Sequence, residues 1–321
     1  MLKLDAISAY YDAPRGVVKA VDNVSLTVLD NEILGIAGES GCGKSTLLKV
    51  LYDYIQSPLR VASGRYEAEM KDGHGNTVVL GPGEIRKHWW KFISYIPQGS
   101  MSVLNPVIKI ENQFFDAVSK GHQVGSRQDI RERVAAYLKE LELPIEVLRS
   151  YPHQLSGGMK QRVLVALGTF LHPQVVLADE PTTALDVVVQ KGILIMLAQV
   201  QERMKNTLVI VTHDMGVHYQ STHRMAIMYA GKLVELGPTR AVFDRPLHPY
   251  TQMLIQSLPR VGDRRERTGI SGRPPSLFNP PPGCRFAPRC PSAMAVCREQ
   301  EPPLLEIEPG HSAACHLYGS A

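Results

Sequence analysis

Residues Gly38 to Thr46 read Gly-Glu-Ser-Gly-Cys-Gly-Lys-Ser-Thr, that is, a glycine, four residues, Gly-Lys and a hydroxyl residue. That spacing suits phosphate. Gly38, Gly41 and Gly43, with Ser40 and Cys42 between them, let the backbone close around phosphate oxygens with successive N–H groups facing negative charge. Lys44 can reach the β- and γ-phosphates of a nucleotide, and Ser45, followed by Thr46, offers a hydroxyl to Mg²⁺, a hard cation that prefers oxygen. A pair of carboxylates, Asp179 and Glu180, ends the apolar run Val175-Val176-Leu177-Ala178. Beside a phosphate loop, Asp179 suits the Mg²⁺ shell and Glu180 suits polarising an attacking water. Gln98, after Phe92-Ile93-Ser94-Tyr95-Ile96-Pro97, can hold a water and a metal ligand together. His213, after Leu208-Val209-Ile210-Val211-Thr212, is placed to sense a γ-phosphate. Ser156 can cap a helix whose Gly157 and Gly158 open its first amides to something bulky and anionic. The chain thus has two anion-binding helix starts, which suggests two different nucleotides. Tyr10 and Tyr11, neighbours on a first hairpin, are both candidates to stack on adenine.

The elements that must carry these groups are legible around them. Glu32 to Ala37 is short, apolar and β-prone, while Leu47, Leu48, Val50 and Leu51 fit a buried helix face, so the phosphate loop lies between strand and helix. Gln98, Glu180 and His213 each follow a parallel-strand pattern, at the ends where a ligand crevice opens. Leu2 to Val28 alternates as β-structure, and the turn Lys71-Asp72-Gly73-His74-Gly75-Asn76 predicts a small antiparallel sub-sheet within 61–96. Residues 107–172 read as helical, with Ile130, Val134, Tyr137, Leu138 and Leu141 on one face of a helix over Arg127 to Glu142 that Pro144 ends. Ala184-Leu185-Asp186 forms a turn before a helix to about Lys205. Strands Met225 to Tyr229 and Lys232 to Glu235 join through Gly231.

At 321 residues, 44% apolar and 21% charged, the chain is long enough for one large domain plus an appendage, and global disorder is excluded. A net charge of +4 spread along the chain gives weak support for nucleic acid or anionic lipid as partner and reads first as an ordinary solvated surface. The sequence has neither the long coiled-coil insertion nor the second fused nucleotide domain that would favour nucleic acid. Met1 to Asp5 lacks the apolar core of a signal peptide and no run approaches bilayer length, so a cytosolic protein is expected. Beyond Leu258 the composition shifts. Eleven of 23 prolines fall in the last 63 residues, which predicts a separately organised tail without long helices. Its first part, Arg260 to Arg273, with Arg264, Arg265 and Arg267 against Asp263 and Glu266, reads as a solvated linker rather than a membrane or nucleic-acid patch.

Four of the five cysteines, Cys284, Cys290, Cys297 and Cys315, crowd into that tail, separated by five, six and seventeen residues. In a reducing cytosol this suggests a metal site before disulfides. Four thiolates suit an iron–sulfur cluster or tetrahedral zinc, with His311 and His316 as spare ligands, although the spacing fits neither tight zinc pairs nor ferredoxin runs. Cys42, at the base of the phosphate loop, is a candidate reactive thiol.

Taken together, the phosphate loop, Gln98, Leu155-Ser156-Gly157-Gly158-Met159-Lys160-Gln161-Arg162, Asp179-Glu180, Asp186 and His213 resemble, in order, the ATP-binding subunits of ABC transporters. Leu247-His248-Pro249-Tyr250-Thr251-Gln252 and the later cysteines look like the C-terminal extension of the dipeptide/oligopeptide importer subgroup. The resemblance implies an α/β fold: a P-loop NTPase core of ABC type over 1–240, with an antiparallel β subdomain and a helical signature subdomain at about 105–172, then a small irregular metal-binding extension over 241–321. It implies a head-to-tail dimer in which the phosphate loop of one subunit and the signature helix of the other enclose each ATP with Mg²⁺. Tyr11 would stack on adenine, with Tyr10 its rival. Gln98 would link nucleotide to membrane subunits, Glu180 would be the catalytic base and His213 the γ-phosphate switch, and Asp186 would join the site. A second ATPase subunit, two permease subunits and an external solute-binding protein are the implied partners, at the cytoplasmic face of the membrane. Subgroup members that carry [4Fe-4S] clusters favour a cluster over zinc in the tail. The implied activity is ATP hydrolysis driving peptide import. An importer for another solute, an ATPase with no channel and a redox-sensing tail that gates hydrolysis are the alternatives.

Overall fold

The computed structural model describes residues 1–99, 103–120, 125–182, 185–258 and 269–319. In chain order its strands are β1 (Leu2–Ala13), β2 (Gly16–Val28), β3 (Ile33–Ala37), β4 (Leu59–Lys71), β5 (Thr77–Leu80), β6 (Ile93–Ile96), β7 (Val175–Asp179), β8 (Thr207–Val211), β9 (Arg224–Tyr229), β10 (Lys232–Pro238), β11 (Leu305–Glu308) and β12 (His311–Ala313). The chain divides into two compact units. One contains Met1, Val28–Ile33 and Glu67–Thr212, and the other Leu2–Thr27, Leu34–Tyr66 and His213–Ala321.

In the first unit β6, β7 and β8 lie side by side in parallel, with Ile96 opposite Ala178 and Asp179 opposite Val211. Every residue of β7 and β8 is buried, as continuous apolar runs require when both faces of a parallel sheet are covered. The helical part follows the expected pattern. Helix Arg127–Glu140 is capped by Ser126 and buries Ile130, Val134, Tyr137 and Leu138. It stops two residues short of Glu142, which takes a left-handed backbone at φ 56 before Pro144. Tyr137 leans on Phe170 at 5.8 Å between ring centroids and its hydroxyl meets Thr169 Oγ1 at 2.6 Å, tying this helix to helix Gly157–Thr169. The expected sub-sheet turn is present between β4 and β5, paired from Ala68↔Leu80 to Lys71↔Thr77.

In the second unit β3 pairs in parallel with β9, and β9 turns through Ala230 and Gly231, both at positive φ, into antiparallel β10. Residues with φ above zero at both turn positions match the twist of a two-residue hairpin. The tail departs from expectation here. Instead of standing apart, it adds β12 to the edge of β10, with Glu235 opposite Ala313, and β11 beside β12. It also inserts Phe286, 1% exposed, against Tyr229 and Tyr250 at 5.2 and 5.4 Å. The physical reason is that a proline-rich segment cannot build a core of its own but can bury aromatic rings in an existing one. Of the arginine-rich stretch, Arg260, Asp263, Arg264, Arg265, Glu266 and Arg267 lie outside the described residues, as does Ala184.

One buried polar group gives this unit a measurable acid sensitivity. His248 is 1% exposed, and its Nδ1 accepts the Tyr250 N–H at 3.0 Å, capping helix Pro249–Gln256. Burial holds its pKa down to about 4 from 6.5, against the opposing pull of Glu235. An unfolded chain takes the proton near pH 6.5 while the folded one refuses it until about 4, so stability is whole above that window and declines as pH falls through it. The loss is on the order of 3 kcal/mol by pH 4. His248→Asn, which can still cap but does not titrate, is expected to melt at a Tm less dependent on pH between 6.5 and 4. An unchanged slope would assign the acid sensitivity elsewhere.

Candidate functional site

Within the second unit, the phosphate loop runs from the buried strand β3 into helix Lys44–Leu51. Gly38 and Gly43 hold φ of 149° and 105°, and a Cβ on them would lie 2.1 Å from the Met228 carbonyl oxygen and 2.0 Å from that of Ala20. No side chain fits there, so these glycines are required by space as well as by conformation. Among the described residues no side chain caps the helix, whose first amides follow the loop. Lys44 is 5% exposed, and its ammonium donates to the carbonyls of Gly38 at 2.8 Å and Glu39 at 3.0 Å. Ser40 and Gly41 lie exposed at the tip of the loop, while Thr46 is buried.

Adjacent residues of β1 face opposite ways, which separates the two tyrosines. The Tyr11 hydroxyl stands 3.3 Å from Thr46 Oγ1, and Lys49 lies over its ring at 5.9 Å. Tyr10 instead donates to Asp22 at 2.7 Å. Cys42 corrects an expectation: it is 3% exposed, and burial raises its thiol pKa despite Lys44 nearby, so the thiol stays protonated and unreactive. His213 is exposed, just ahead of helix Met215–Ser221, which Asp214 caps through the amides of Gly216 and Val217.

The first unit holds the carboxylates. Asp179, 3% exposed at the end of β7, accepts the Tyr95 hydroxyl at 2.7 Å. Glu180 follows at φ 44, its amide bonded to the Val211 carbonyl, and its Oε2 accepts the Gln98 side-chain amide at 2.7 Å. A glutamic acid with positive φ is uncommon and turns the side chain sharply off the strand end. The structure therefore joins Gln98 to Glu180 and adds Tyr95, which period-2 alternation alone did not single out. Ser156 caps helix Gly157–Thr169 by accepting the Met159 amide at 3.3 Å. Gly158 packs closely there: a Cβ on it would meet Val189 at 3.0 Å. Asp186 caps helix Val187–Met204 through the Val189 amide at 3.0 Å.

In the tail all four cysteines line one small cavity, of about 10 Å³, together with His248 and His316. All are free thiols, and among the described residues no group of three or more His, Cys, Asp or Glu side chains is arranged to hold a metal ion. Burial raises the thiol pKa of Cys284 to about 11 and also raises those of Cys290 and Cys315. Of the two spare ligands, His316 lines this cavity and His311 does not. The His311 Nε2 is bonded to Glu235 at 2.8 Å.

Residues 21–183 match the family model of the ABC transporter, and residues 234–297 match that of the oligopeptide/dipeptide transporter, C-terminal region. The chain belongs to the ABC transporter family. It is 40% identical over 320 residues to the dipeptide transport ATP-binding protein DppD of Caldanaerobacter subterraneus, covering 99% of this chain and 97% of that one. To DppD of Escherichia coli K12 it is 36% identical over 319 residues, covering 98% and 96%. Among solved structures, the dimeric MJ0796, a bacterial ABC transporter cassette, superposes with a TM-score of 0.64 at 28% identity over 75% of this chain and 99% of that one. The same cassette in a post-hydrolysis state bound to ADP and Pi superposes equally well. This ABC ATPase thus shares the α/β P-loop fold expected from its motifs.

Proposed function

We propose that this ABC ATPase is the ATP-hydrolysing subunit of an importer of dipeptides or oligopeptides. The observation that carries the reading is similarity to DppD proteins along nearly the whole chain, including the C-terminal region. Residues 1–240 form the ATPase domain, and 241–321 the importer-type extension. Each ATP is enclosed by the Gly38–Thr46 loop, with Tyr11 on adenine, and by the Ser156-Gly157-Gly158 helix start and Asp186 of a second ATPase subunit. The donors Ser45, Gln98 and Asp179 are all oxygen atoms, the set a hard cation prefers, and bound Mg²⁺ neutralises charge on the phosphates. Lys44 and the loop amides stabilise charge that builds on the phosphoryl oxygens. Glu180 takes a proton from the attacking water, held by Gln98, and His213 senses the γ-phosphate.

No helix among the described residues is long and apolar enough to cross a membrane. The similarity to DppD proteins supports two permease subunits and an external binding protein as the rest of the machine, with this chain at the cytoplasmic face. A cleft of about 340 Å³ lined by Trp90, Pro97, Val103, Leu104 and Ile108, close in sequence to Gln98, supports a permease contact. Deleting the chain from its native host is expected to abolish uptake of labelled dipeptide, and the tagged chain is expected to co-purify with detergent-solubilised permeases. Intact peptide uptake with loss of an oligosaccharide or metal chelate would overturn the solute. Purification without any membrane subunit would overturn the transporter.

We further propose that Cys284, Cys290, Cys297 and Cys315 hold a [4Fe-4S] cluster, with zinc as the rival. That all four thiols line one small cavity supports this donor set, although as placed no three of them are arranged to hold a metal ion. When bound, such a group supplies a covalent cross-link across the tail and a one-electron redox couple.

A further inference from the structure

The C-terminal extension reaches the phosphate loop directly. Arg289 uses all five of its N–H donors: Nη1 to Glu39 Oε2 at 2.8 Å and to the Tyr229 hydroxyl at 3.1 Å, Nη2 to Glu39 Oε1 at 2.9 Å and to the Ile270 carbonyl at 3.0 Å, and Nε to the Ser271 carbonyl at 2.9 Å. Its side chain is 5% exposed, and that of Glu39 is 25% exposed. A saturated, planar, bidentate contact of this kind fixes the carboxylate in both position and orientation. Glu39 is the second residue of the loop, and it is held at every polar point. Its amide donates to the Tyr250 hydroxyl at 2.9 Å, and its carbonyl accepts from Lys44 at 3.0 Å and from the Cys42 amide at 3.2 Å. Two of these anchors, Arg289 and Tyr250, come from beyond residue 240.

We propose that Arg289, with Tyr250, is a positioning residue for nucleotide. It braces Glu39 so that the Gly38–Ser45 backbone is already shaped for phosphate before ATP arrives. A glycine-rich loop has many conformations to lose, and an external brace removes part of that entropic cost from the binding step. Arg289 ends the turn Ala287–Arg289, which opens with the Ala287 amide on the Cys284 carbonyl and closes with the Cys290 amide on the Ala287 carbonyl. The brace therefore stands on the cysteine-bearing segment.

The inference rests on the reading of the loop as the ATP site, and one experiment separates the two. The full chain and its variants are titrated with MgATP against a fluorescent trinitrophenyl ATP. Arg289→Ala and Glu39→Gln are each expected to weaken MgATP binding about tenfold, within the range usual for coupling between sites. The double variant is expected to be no weaker than either alone, because both changes remove one contact. Arg289→Lys, which keeps charge but not the fork, is expected to recover part of the affinity. In the assembled transporter the loss appears in KM for ATP more than in kcat. Affinity unchanged in Arg289→Ala, or effects that multiply in the double variant, would overturn the brace. Should Arg289→Ala fail to fold, Glu39→Gln decides, and unchanged affinity there overturns the proposal too. Lys44→Ala tests the reading beneath: full ATP affinity in that variant sinks the site itself, whatever Arg289 does.

Discussion

Glu180→Gln is expected to bind MgATP as the parent chain does while turning over roughly 10² to 10⁴ times more slowly, the usual worth of a general base. The substitution conserves shape at a residue whose backbone, at φ 44, is held by the Val211 carbonyl, so the fold has no cause to change. Its Oε2 now accepts the Gln98 amide at 2.7 Å, an interaction that an amide oxygen can retain. What is lost is the charge that takes the proton from water. Measured as single-turnover hydrolysis in the assembled complex, parent-like rates would remove Glu180 from the chemistry and leave Asp179 or solvent as the base.

Protein purified without oxygen is expected to contain iron and acid-labile sulfide in equal amounts, and Cys297→Ser to lose both together. The thiols meet at one cavity, and three of them are held in the protonated form by burial, Cys284 up to about 11. Ligation requires thiolate, so loading must expel those protons. Retention should therefore weaken as pH falls, with protons released into weakly buffered solution on reconstitution. One zinc per chain and no sulfide would replace the cluster with a structural zinc site, and a metal-free chain would make the cysteines packing residues.

The parts of the site that were legible in the chain are those whose chemistry is local. Glycine spacing in Gly38–Gly43 reports a backbone path that other residues cannot follow. Ser156 and Asp186 report helix starts, and both do cap their helices. The contacts that organise these groups were not legible, because their partners are distant in sequence and carry no periodic signal. Tyr95 reaches Asp179 across 84 residues, and Arg289 reaches Glu39 across 250. Proline content warned against long helices, and among the described residues of the tail the longest is Val296–Glu299, but it is silent about edge pairing, which needs only a few extended residues. That is why β12 could join β10, and why His311, on that strand, meets Glu235.

The pairing of β12 with β10 also bears on how the molecule is made. During synthesis β10 emerges well before residue 311, so for some seconds its rim offers bare amides and carbonyls to any extended peptide nearby. A ribosome that stalls in the tail would release a nearly whole ATPase with a sticky border. Quality control in the host therefore has reason to watch the final stretch of this polypeptide most closely.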